Sequence, residues 1–328
     1  MPLLMCTGLA LAGMGFAVAG RGIAGDTAVS VAGAAAGPYA RDFTDIAAVP
    51  LTPVPAPGPD ASTGTVTEDC GRNDEGHYNA DNLVISPGYR NGAHHIHEYV
   101  GNLSTDAFST DASLAAAATT CADGDRSTYY WPVLRRQDQP ETNGPHVHGD
   151  GGARHGNIGQ IVRPASVRIE FGGSAVSHVV AMPRFLRMIT GDPVAGTQGD
   201  ANAHAQWGCS TSPGHYTALY PRCPAGGLTT RTLDFPSCWN GLATDSADHR
   251  SHVAFPAANG ACPARTFPVP RLRIVLSYEL PPGVPFAVDA FSEQHHSPKT
   301  DHALFVDLMT DARMASVVRC LNSGRHCR

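Results

Sequence analysis

Short runs of alternating apolar and polar residues, separated by glycine and proline, recur through most of the chain. In RLRIVLSYEL, at 271–280, every second residue from Leu272 to Tyr278 is apolar, and Val275 is the one exception to the alternation. A period of two is typical of a strand with one buried face. Comparable runs lie at 167–171, 177–183, 231–235 and 286–291. The pattern predicts a mainly β, single-domain fold, a β-sandwich or jelly roll with long disulfide-stapled loops and a few short helices.

Helical patterns are confined to two segments. Residues 110–120, TDASLAAAATT, predict a short helix capped by Thr110 or Asp111. The spacing of apolar residues from Phe305 to Leu321 predicts a C-terminal helix.

The first 67 residues differ in composition from the rest. Residues 1–19 are apolar, too short to span a bilayer comfortably, and end in a small-x-small triplet, so they predict a signal peptide. No Lys or Arg precedes the apolar run, which leaves a retained anchor as the alternative. Residues 20–67 are rich in Ala, Gly and Pro and predict a disordered, dispensable linker. The folded domain is then expected at 68–328, secreted to the extracellular space.

Charge narrows the range of partners. The formal net charge is −6, no basic run occurs, and Lys299 is the only lysine. Nothing in this distribution favours nucleic acid. We also expect no membrane association after signal cleavage, and the sequence does not indicate an oligomeric state.

Eight of the nine cysteines follow the predicted signal, and an even number in a secreted chain predicts four disulfides. Short loops favour Cys209–Cys223 and Cys238–Cys262, which leaves Cys70–Cys121 and Cys320–Cys327, although eight cysteines allow about 105 connectivities. Thiolate zinc sites need close pairs such as C-x2-C, and the sequence has none.

The segment 234–262, DFPSCWNGLATDSADHRSHVAFPAANGAC, combines two cysteines with acids and imidazoles in a turn-rich composition. We call it the stapled loop. Asp245, Asp248 and His249 are its candidate catalytic residues, with the two acids as an acid–base pair for glycoside chemistry or Asp248 orienting a histidine. The alternative is a turn held by Asx hydrogen bonds.

His95-Ile96-His97 is the strongest metal-binding pattern. In a strand, residues two apart point the same way, about 7 Å apart at Cα, so both imidazoles can reach one ion. We predict a metal site of His95, His97 and His252, suited to zinc, copper or iron. The alternative is a set of hydrogen-bonded structural histidines. A further group, His146, His148 and His155, lies in a Gly-rich segment that we interpret as a mobile, solvated loop; the alternative is a second metal site or a lining of the same cleft.

Three other residues are candidates for substrate contact. Trp239 and Tyr130 carry rings that stack on sugars when exposed, and Arg187 carries a guanidinium that binds anions. Core packing and structural ion pairing are the alternatives.

Several long motifs resemble one secreted family. The resemblance spans about Leu83 to Cys320 and rests on the following stretches: FPSCWNG and DSADHRSHVAFP in the stapled loop, HHIHEYVGN at 94–102, CADGDRSTYYWPVL at 121–134, FLRMITGDP at 185–193 and CPAGGL at 223–228. The chain resembles members of DUF1996, a domain of unknown function. Some fungal members are joined to cell-wall-binding modules, which implies a wall polysaccharide by association. Relatives have a His two residues before the acid equivalent to Asp307, whereas this chain has Phe305, with His302 as a substitute three residues upstream.

Two functions are compatible with these features. One is a secreted, metal-assisted hydrolase or lyase that acts on extracellular or cell-wall polysaccharide through a His/Asp site, with a divalent transition metal as cofactor. The other is a non-catalytic wall- or glycan-binding protein whose histidines are structural. The first predicts a cleft with converging His and Asp, and the second predicts an exposed aromatic surface.

Overall fold

Strands provide most of the regular structure in the computed structural model, which describes residues 37–139 and 151–328. In chain order the strands are β1 (Phe43–Asp45), β2 (Thr65–Glu68), β3 (Tyr78–Asn79), β4 (His97–Gly101), β5 (Thr128–Pro132), β6 (Leu134–Arg136), β7 (Gln160–Val162), β8 (Ser166–Gly172), β9 (Arg187–Gly191), β10 (Gln206–Cys209), β11 (Tyr220–Arg222), β12 (Thr229–Asp234), β13 (Cys238–Trp239), β14 (Val253–Ala254), β15 (Phe267–Pro268), β16 (Arg271–Tyr278), β17 (Phe286–Val288), β18 (His302–Val306) and β19 (His326–Cys327).

Helices are short. The α-helices are α1 (Asp111–Ala116), α2 (Ala195–Gln198) and α3 (Asp311–Asn322), and the 3-10 turns lie at Ala40–Asp42, Ile46–Ala48, Ala153–His155, Ser292–Gln294 and Pro298–Thr300. No helix of the described ranges has the length and apolarity needed to cross a membrane.

Two large sheets enclose the main core. One has six strands in the order β10-β12-β16-β8-β2-β19, and the other has five in the order β3-β4-β5-β18-β9. The core between them combines Phe171 and Ile274 of the first sheet with Tyr129, Trp131 and Phe305 of the second. The predicted mainly β, single-domain fold is therefore confirmed for the described residues.

The alternation predicted for 271–280 matches β16, where every second residue from Leu272 is buried. It pairs antiparallel with β12 on one side and with β8 on the other. It therefore lies near the middle of the six-stranded sheet, and its apolar face is buried in the core. The predicted strand at 177–183 is wrong. The backbone N–H of Val179 donates to the side chain of Asn322 at the end of α3, and the N–H of Val180 donates to Pro268 O in β15, but the segment itself is not a strand.

The predicted helix at 110–120 is α1, and the Thr110 hydroxyl caps it by accepting from the backbone N–H of Ser113 at 3.1 Å. The predicted C-terminal helix begins too early. Phe305 belongs to β18, and α3 starts at Asp311 after its cap Thr310. The apolar residues before the cap lie on alternate faces of β18. A short apolar run of this kind fits a strand as well as a helix, so its spacing alone does not decide between them.

The predicted linker also extends too far. Residues 1–36 lie outside the described residues, but from residue 37 the chain is part of the fold. β1 pairs in parallel with β11, Ile46 is buried, and β2 lies inside the six-stranded sheet. A Pro-rich composition disfavours helix, yet a few apolar anchors suffice to hold an extended strap against the core.

Four disulfides close the loops in the predicted pairing. They join Cys70–Cys121, Cys209–Cys223, Cys238–Cys262 and Cys320–Cys327. The third closes the stapled loop, and the fourth attaches the end of the chain to α3. Crosslinks of this kind stabilise mainly by restricting the unfolded chain.

A buried carboxyl group couples the sheet to α3. Arg313 of α3 donates to Glu68 of β2 at 2.6 Å and also contacts Asp123. Burial, with Asp123 beside it, raises the pKa of Glu68 from 4.5 to about 8 in spite of the guanidinium.

We predict that this group makes stability fall with rising pH. Because its native pKa lies above its unfolded pKa, the native state binds the extra proton, and stability decreases as pH rises from about 5 through about 8. Glu68→Gln should remove this component from urea unfolding curves measured across that range. Glu279→Gln, at an exposed acid just after β16, should retain the wild-type slope. The same slope in Glu68→Gln and wild type would contradict the prediction.

Candidate metal centre

Three histidines meet on the face of the five-stranded sheet that points away from the main core. His97 and His302 are the first residues of β4 and β18, the two strands that flank β5. His95 lies two residues before β4. All three are almost completely buried, with exposures of 1%, 0% and 1% for His95, His97 and His302.

The Nε2 atoms of these rings form a nearly equilateral triangle. The distance is 3.1 Å from His95 to His97, 3.3 Å from His95 to His302 and 3.5 Å from His97 to His302. Tetrahedral coordination with metal–nitrogen bonds of about 2.0–2.1 Å places ligand nitrogens about 3.3–3.4 Å apart. Of the described residues, only these three form a group of His, Cys, Asp or Glu with the proximity that a metal site needs. The donor set and its spacing therefore fit a divalent transition metal.

Backbone carbonyls fix the tautomers of two rings. The Nδ1–H of His97 donates to Asp81 O at 2.9 Å, and the Nδ1–H of His302 donates to Thr300 O at 2.8 Å. In the neutral rings, Nε2 then carries a bare lone pair directed at the centre of the triangle. An Nε2–H on His95 can donate to one of these two lone pairs, whereas a cation at the centre can accept the Nε2 lone pairs of all three neutral rings.

Burial keeps these imidazoles neutral. Desolvation lowers the pKa of His97 to about 4 and holds the pKa values of His95 and His302 well below the usual range, with further lowering from the neighbouring histidines. Metals bind the neutral imidazole, so these shifts favour a metal ion over protons.

A buried ion pair supports the segment that carries His95 and His97. Asp289 accepts from Arg135 at 2.6 Å and 3.2 Å, and its Oδ2 also accepts from the backbone N–H of Ile96 at 3.3 Å. The carboxylate thereby holds the residue between the two histidines.

A second buried ion pair lies next to His302. Arg231, fully buried, donates to both carboxylate oxygens of Asp301, at 3.1 Å and 2.5 Å, and to Tyr278 and Pro132 O. Asp301 precedes His302 directly, so the pair fixes the chain where β18 begins. Because both charges are paired, neither adds a net charge to the centre.

Of the three candidate catalytic residues in the stapled loop, Asp245 and His249 contact each other and Asp248 contacts two serines. His249 Nδ1 pairs with Asp245 at 3.0 Å, and Asp248 accepts from Ser246 and from Ser251. Backbone and hydroxyl donors lower the pKa of Asp248, so its proton is lost far below neutral pH. These contacts are those of an Asx-stabilised turn.

His252 does not join the three-histidine group. Its Nε2 hydrogen-bonds Arg187 O at 2.6 Å and its Nδ1 contacts Ser246 Oγ at 2.8 Å, so both ring nitrogens have partners. Arg187 is four residues from Gly191, the partner of His302, which is about 13 Å along the strand. The structure thus places His302, rather than His252, with His95 and His97.

The three candidate substrate-binding residues, Tyr130, Trp239 and Arg187, make contacts within the protein. Tyr130 is fully buried beneath the centre and packs against His97 with ring centroids 5.2 Å apart, so it cannot stack on a bound sugar. Trp239 donates Nε1–H to Ala243 O at 2.7 Å within the stapled loop. Arg187 pairs with Asp111 at 2.7 Å. Packing, internal hydrogen bonding and ion pairing therefore account for these three side chains in the structure.

A family comparison includes both the histidines and the stapled loop. The family model described as "Domain of unknown function (DUF1996)" matches residues 82–305, more than half of the chain. The chain belongs to the DUF1996 family. Comparisons with curated proteins and with solved structures find no match.

The DUF1996 position occupied here by Phe305 does not face the centre. Alternation along β18 directs residues 302, 304 and 306 to one side, whereas Phe305 packs between the sheets against Tyr129, with ring centroids 5.0 Å apart. Phe305 therefore leaves the three-histidine group intact. The available sequence signal for His302 was its place at the start of an apolar strand run, but no spacing linked it to His95.

The neighbourhood of the centre includes other rings. His95 packs edge-on against Phe291, with centroids 5.3 Å apart, and the exposed His94 packs against His155 at 4.8 Å. His146 and His148 lie outside the described residues. A cavity of about 790 Å³ lies elsewhere, lined by Phe43, Arg222 and the 281–286 segment, and none of the three histidines lines it.

We predict that Asp301→Asn destabilises the protein by about 3–5 kcal/mol, because it leaves the Arg231 charge buried and unpaired. Urea unfolding measures the loss. The matched control is Asp200→Asn, which breaks an exposed pair with Lys299 and should change stability by less than about 1 kcal/mol. Equal, small effects of the two substitutions would contradict the structural importance of the buried pair.

Proposed function

We propose that this DUF1996 protein is a secreted metalloenzyme that holds one divalent transition metal at His95, His97 and His302 and acts on extracellular or cell-wall polysaccharide. The observation that carries the proposal is the triangle of Nε2 atoms at 3.1, 3.3 and 3.5 Å, buried and free of carboxylates. Zinc, copper and iron all accept such a set of imidazoles.

The ligand number favours catalysis over a purely structural metal. Structural zinc sites are closed by four protein ligands, whereas catalytic sites keep three and leave one position open. When bound, a metal in such a site acts as a Lewis acid and lowers the pKa of a coordinated water toward about 7.

The chain's own residues prepare the site for that chemistry. Asp81 O and Thr300 O hold two imidazoles in the ligating tautomer, and the fixed strand starts hold their positions. Tyr130 and Tyr99 form an apolar floor of stacked rings, 4.9 Å apart, that excludes water from below. Low-dielectric surroundings of this kind strengthen electrostatic stabilisation of a reacting group.

Secretion and a polysaccharide substrate have separate support. Four disulfides are typical of an oxidising, extracellular location. The association of fungal family members with wall-binding modules supports a wall polysaccharide.

A glycan-binding function is the second candidate, and one observation favours it. Tyr89 and Phe108 are 72% and 53% exposed, and Arg90 lies over the Phe108 ring at 5.4 Å. A hydrogen bond from Gly88 N to Ala107 O joins their loops. Exposed rings on joined loops offer stacking surface to a sugar.

We predict that purified wild-type protein contains one transition metal per chain and that His302→Ala loses it. His252→Ala should retain the metal, because the two ring nitrogens of His252 bond to Arg187 O and Ser246 Oγ rather than facing the three histidines. Elemental analysis after exhaustive dialysis gives the stoichiometry, and thermal unfolding confirms that each variant is folded. Retention by His302→Ala together with loss by His252→Ala would contradict the proposed site.

We further predict that chelation abolishes release of soluble sugar from an extracellular polysaccharide panel and that one equivalent of metal restores it. Tyr89→Ala should leave this metal dependence unchanged, because Tyr89 is not among the ligands. If the amount of soluble sugar released were equal with and without metal, the proposal of a metal-dependent enzyme would be wrong. Retention of the protein on polysaccharide without products, lost in Tyr89→Ala, would instead favour glycan binding.

A further inference from the structure

A cavity of about 350 Å³ lies on the outer face of the six-stranded sheet, the face that points away from the main core. Outward side chains of β8, β12 and β16 form its floor, and residues from 208 to 216 form a wall beside them. The candidate metal centre lies on the outer face of the five-stranded sheet, so the main core separates it from this cavity. The volume is within the range of about 300–1,000 Å³ that is usual for small-molecule sites.

The strand register gives the floor a mixed surface. Val275 pairs with Thr232 of β12 and with Arg168 of β8, and Ser277 pairs with Thr230. Paired residues in an antiparallel ladder lie about 4.5–5.5 Å apart at Cα. Val275, the exception to the alternation of β16, therefore provides an apolar patch among polar side chains.

Three hydroxyl groups of the floor are available to a ligand. Those of Thr230, Thr232 and Ser277 form no hydrogen bond with any residue that the structure describes. A hydroxyl group can donate one hydrogen bond and accept two. The floor thus presents unused donors and acceptors around the apolar patch.

The guanidinium groups at the cavity are paired with carboxylates. Arg273 donates from Nε and Nη2 to the two oxygens of Asp234, at 2.6 Å and 2.7 Å, and Arg168 pairs with Glu170. Each positive charge therefore has a negative charge beside it, and the pairs hold their polar atoms in fixed positions. A surface of this kind favours a neutral polar ligand over an ion.

Tyr216 places a partly exposed aromatic ring in the wall. Gly208 lies between this ring and the floor, because a Cβ at Gly208 would be 3.7 Å from Tyr216 Cδ1 and 3.1 Å from Thr230 Oγ1. A side chain at this position would occupy that space, so glycine leaves it open. Saccharides stack their C–H faces on aromatic rings and hydrogen-bond through their hydroxyl groups.

Two crosslinks hold the wall from within the sheet. The Cys209–Cys223 disulfide closes the segment that contains it. Trp207 and Thr217 exchange backbone hydrogen bonds, at 2.8 Å and 2.9 Å, across the same segment. The wall is therefore fixed before any ligand binds, which lowers the ordering cost of binding.

The Pro-rich strap holds the wall from outside. Thr52 N–H donates to Gly214 O at 2.9 Å, and His215 Nδ1–H donates to Val49 O at 2.7 Å. The strap and the Cys209–Cys223 disulfide are not used by the three-histidine site. Both support the wall of this second cavity.

We propose that this cavity binds a segment of a neutral oligosaccharide and is a second, non-catalytic saccharide site. Tyr216 and Val275 contact the C–H faces of the sugar, while the hydroxyls of the floor and the paired guanidiniums bond its hydroxyl groups. The site needs no metal, so the inference goes beyond the proposed function and does not depend on it.

Calorimetric titration of chelator-treated, full-length protein with cellotetraose, laminaritetraose and maltotetraose tests the site, with acidic tetragalacturonate for comparison. Wild type should bind at least one neutral tetrasaccharide more tightly than tetragalacturonate. Tyr216→Ala should weaken that binding about ten-fold, and Thr230→Ala about two- to ten-fold. The matched controls, Tyr89→Ala and Thr67→Ala, change a ring and a hydroxyl outside the cavity and should bind as wild type does.

Three results would overturn the site. The first is wild type that binds none of the neutral tetrasaccharides, and the second is equal affinity in wild type, Tyr216→Ala and Thr230→Ala. The third is loss of binding only in Tyr89→Ala, which would place the sugar on the exposed rings instead. His302→Ala should keep wild-type affinity for the tetrasaccharide, so this site and the metalloenzyme fail or stand separately. Unfolding temperatures distinguish a general loss of stability from a loss of binding.

Discussion

The constraint on which the site depends is the burial of three imidazoles with their Nε2 atoms facing one another. Backbone carbonyls of Asp81 and Thr300 accept the Nδ1–H groups of His97 and His302, so those Nε2 atoms present lone pairs. Burial disfavours protonation, which is the other way to satisfy them. A metal ion at the centre of the three Nε2 atoms would accept these lone pairs, and the proposed function rests on that fit.

The surrounding fold holds this arrangement in place. β5 separates β4 from β18 and so sets the spacing of His97 and His302, while the ion pairs Arg135–Asp289 and Arg231–Asp301 fix the chain beside each strand start. The stapled loop is closed by its disulfide and is attached to the edge of β9 through Arg250 and His252.

Local patterns predicted the parts of the molecule that local physics determines. Alternation identified β16, loop length identified the disulfides, and strand spacing identified His95 and His97 as a pair directed to one side. The third histidine of the group depended on sheet order, since His302 meets His97 only because β5 lies between their strands. His252 was the nearest histidine of suitable pattern, but it hydrogen-bonds the edge of β9 instead. Long-range strand pairing leaves no periodic signal in the sequence, and the anchoring of residues 37–67 by a few apolar contacts was missed for the same reason.

The most direct test is anomalous diffraction from a crystal of the metal-loaded protein, collected at the absorption edge of the bound metal. The account predicts one strong peak about 2.0–2.2 Å from the Nε2 atoms of His95, His97 and His302. A peak at the stapled-loop residues His249 and His252, or no peak at the three histidines when metal is present in excess, would contradict it.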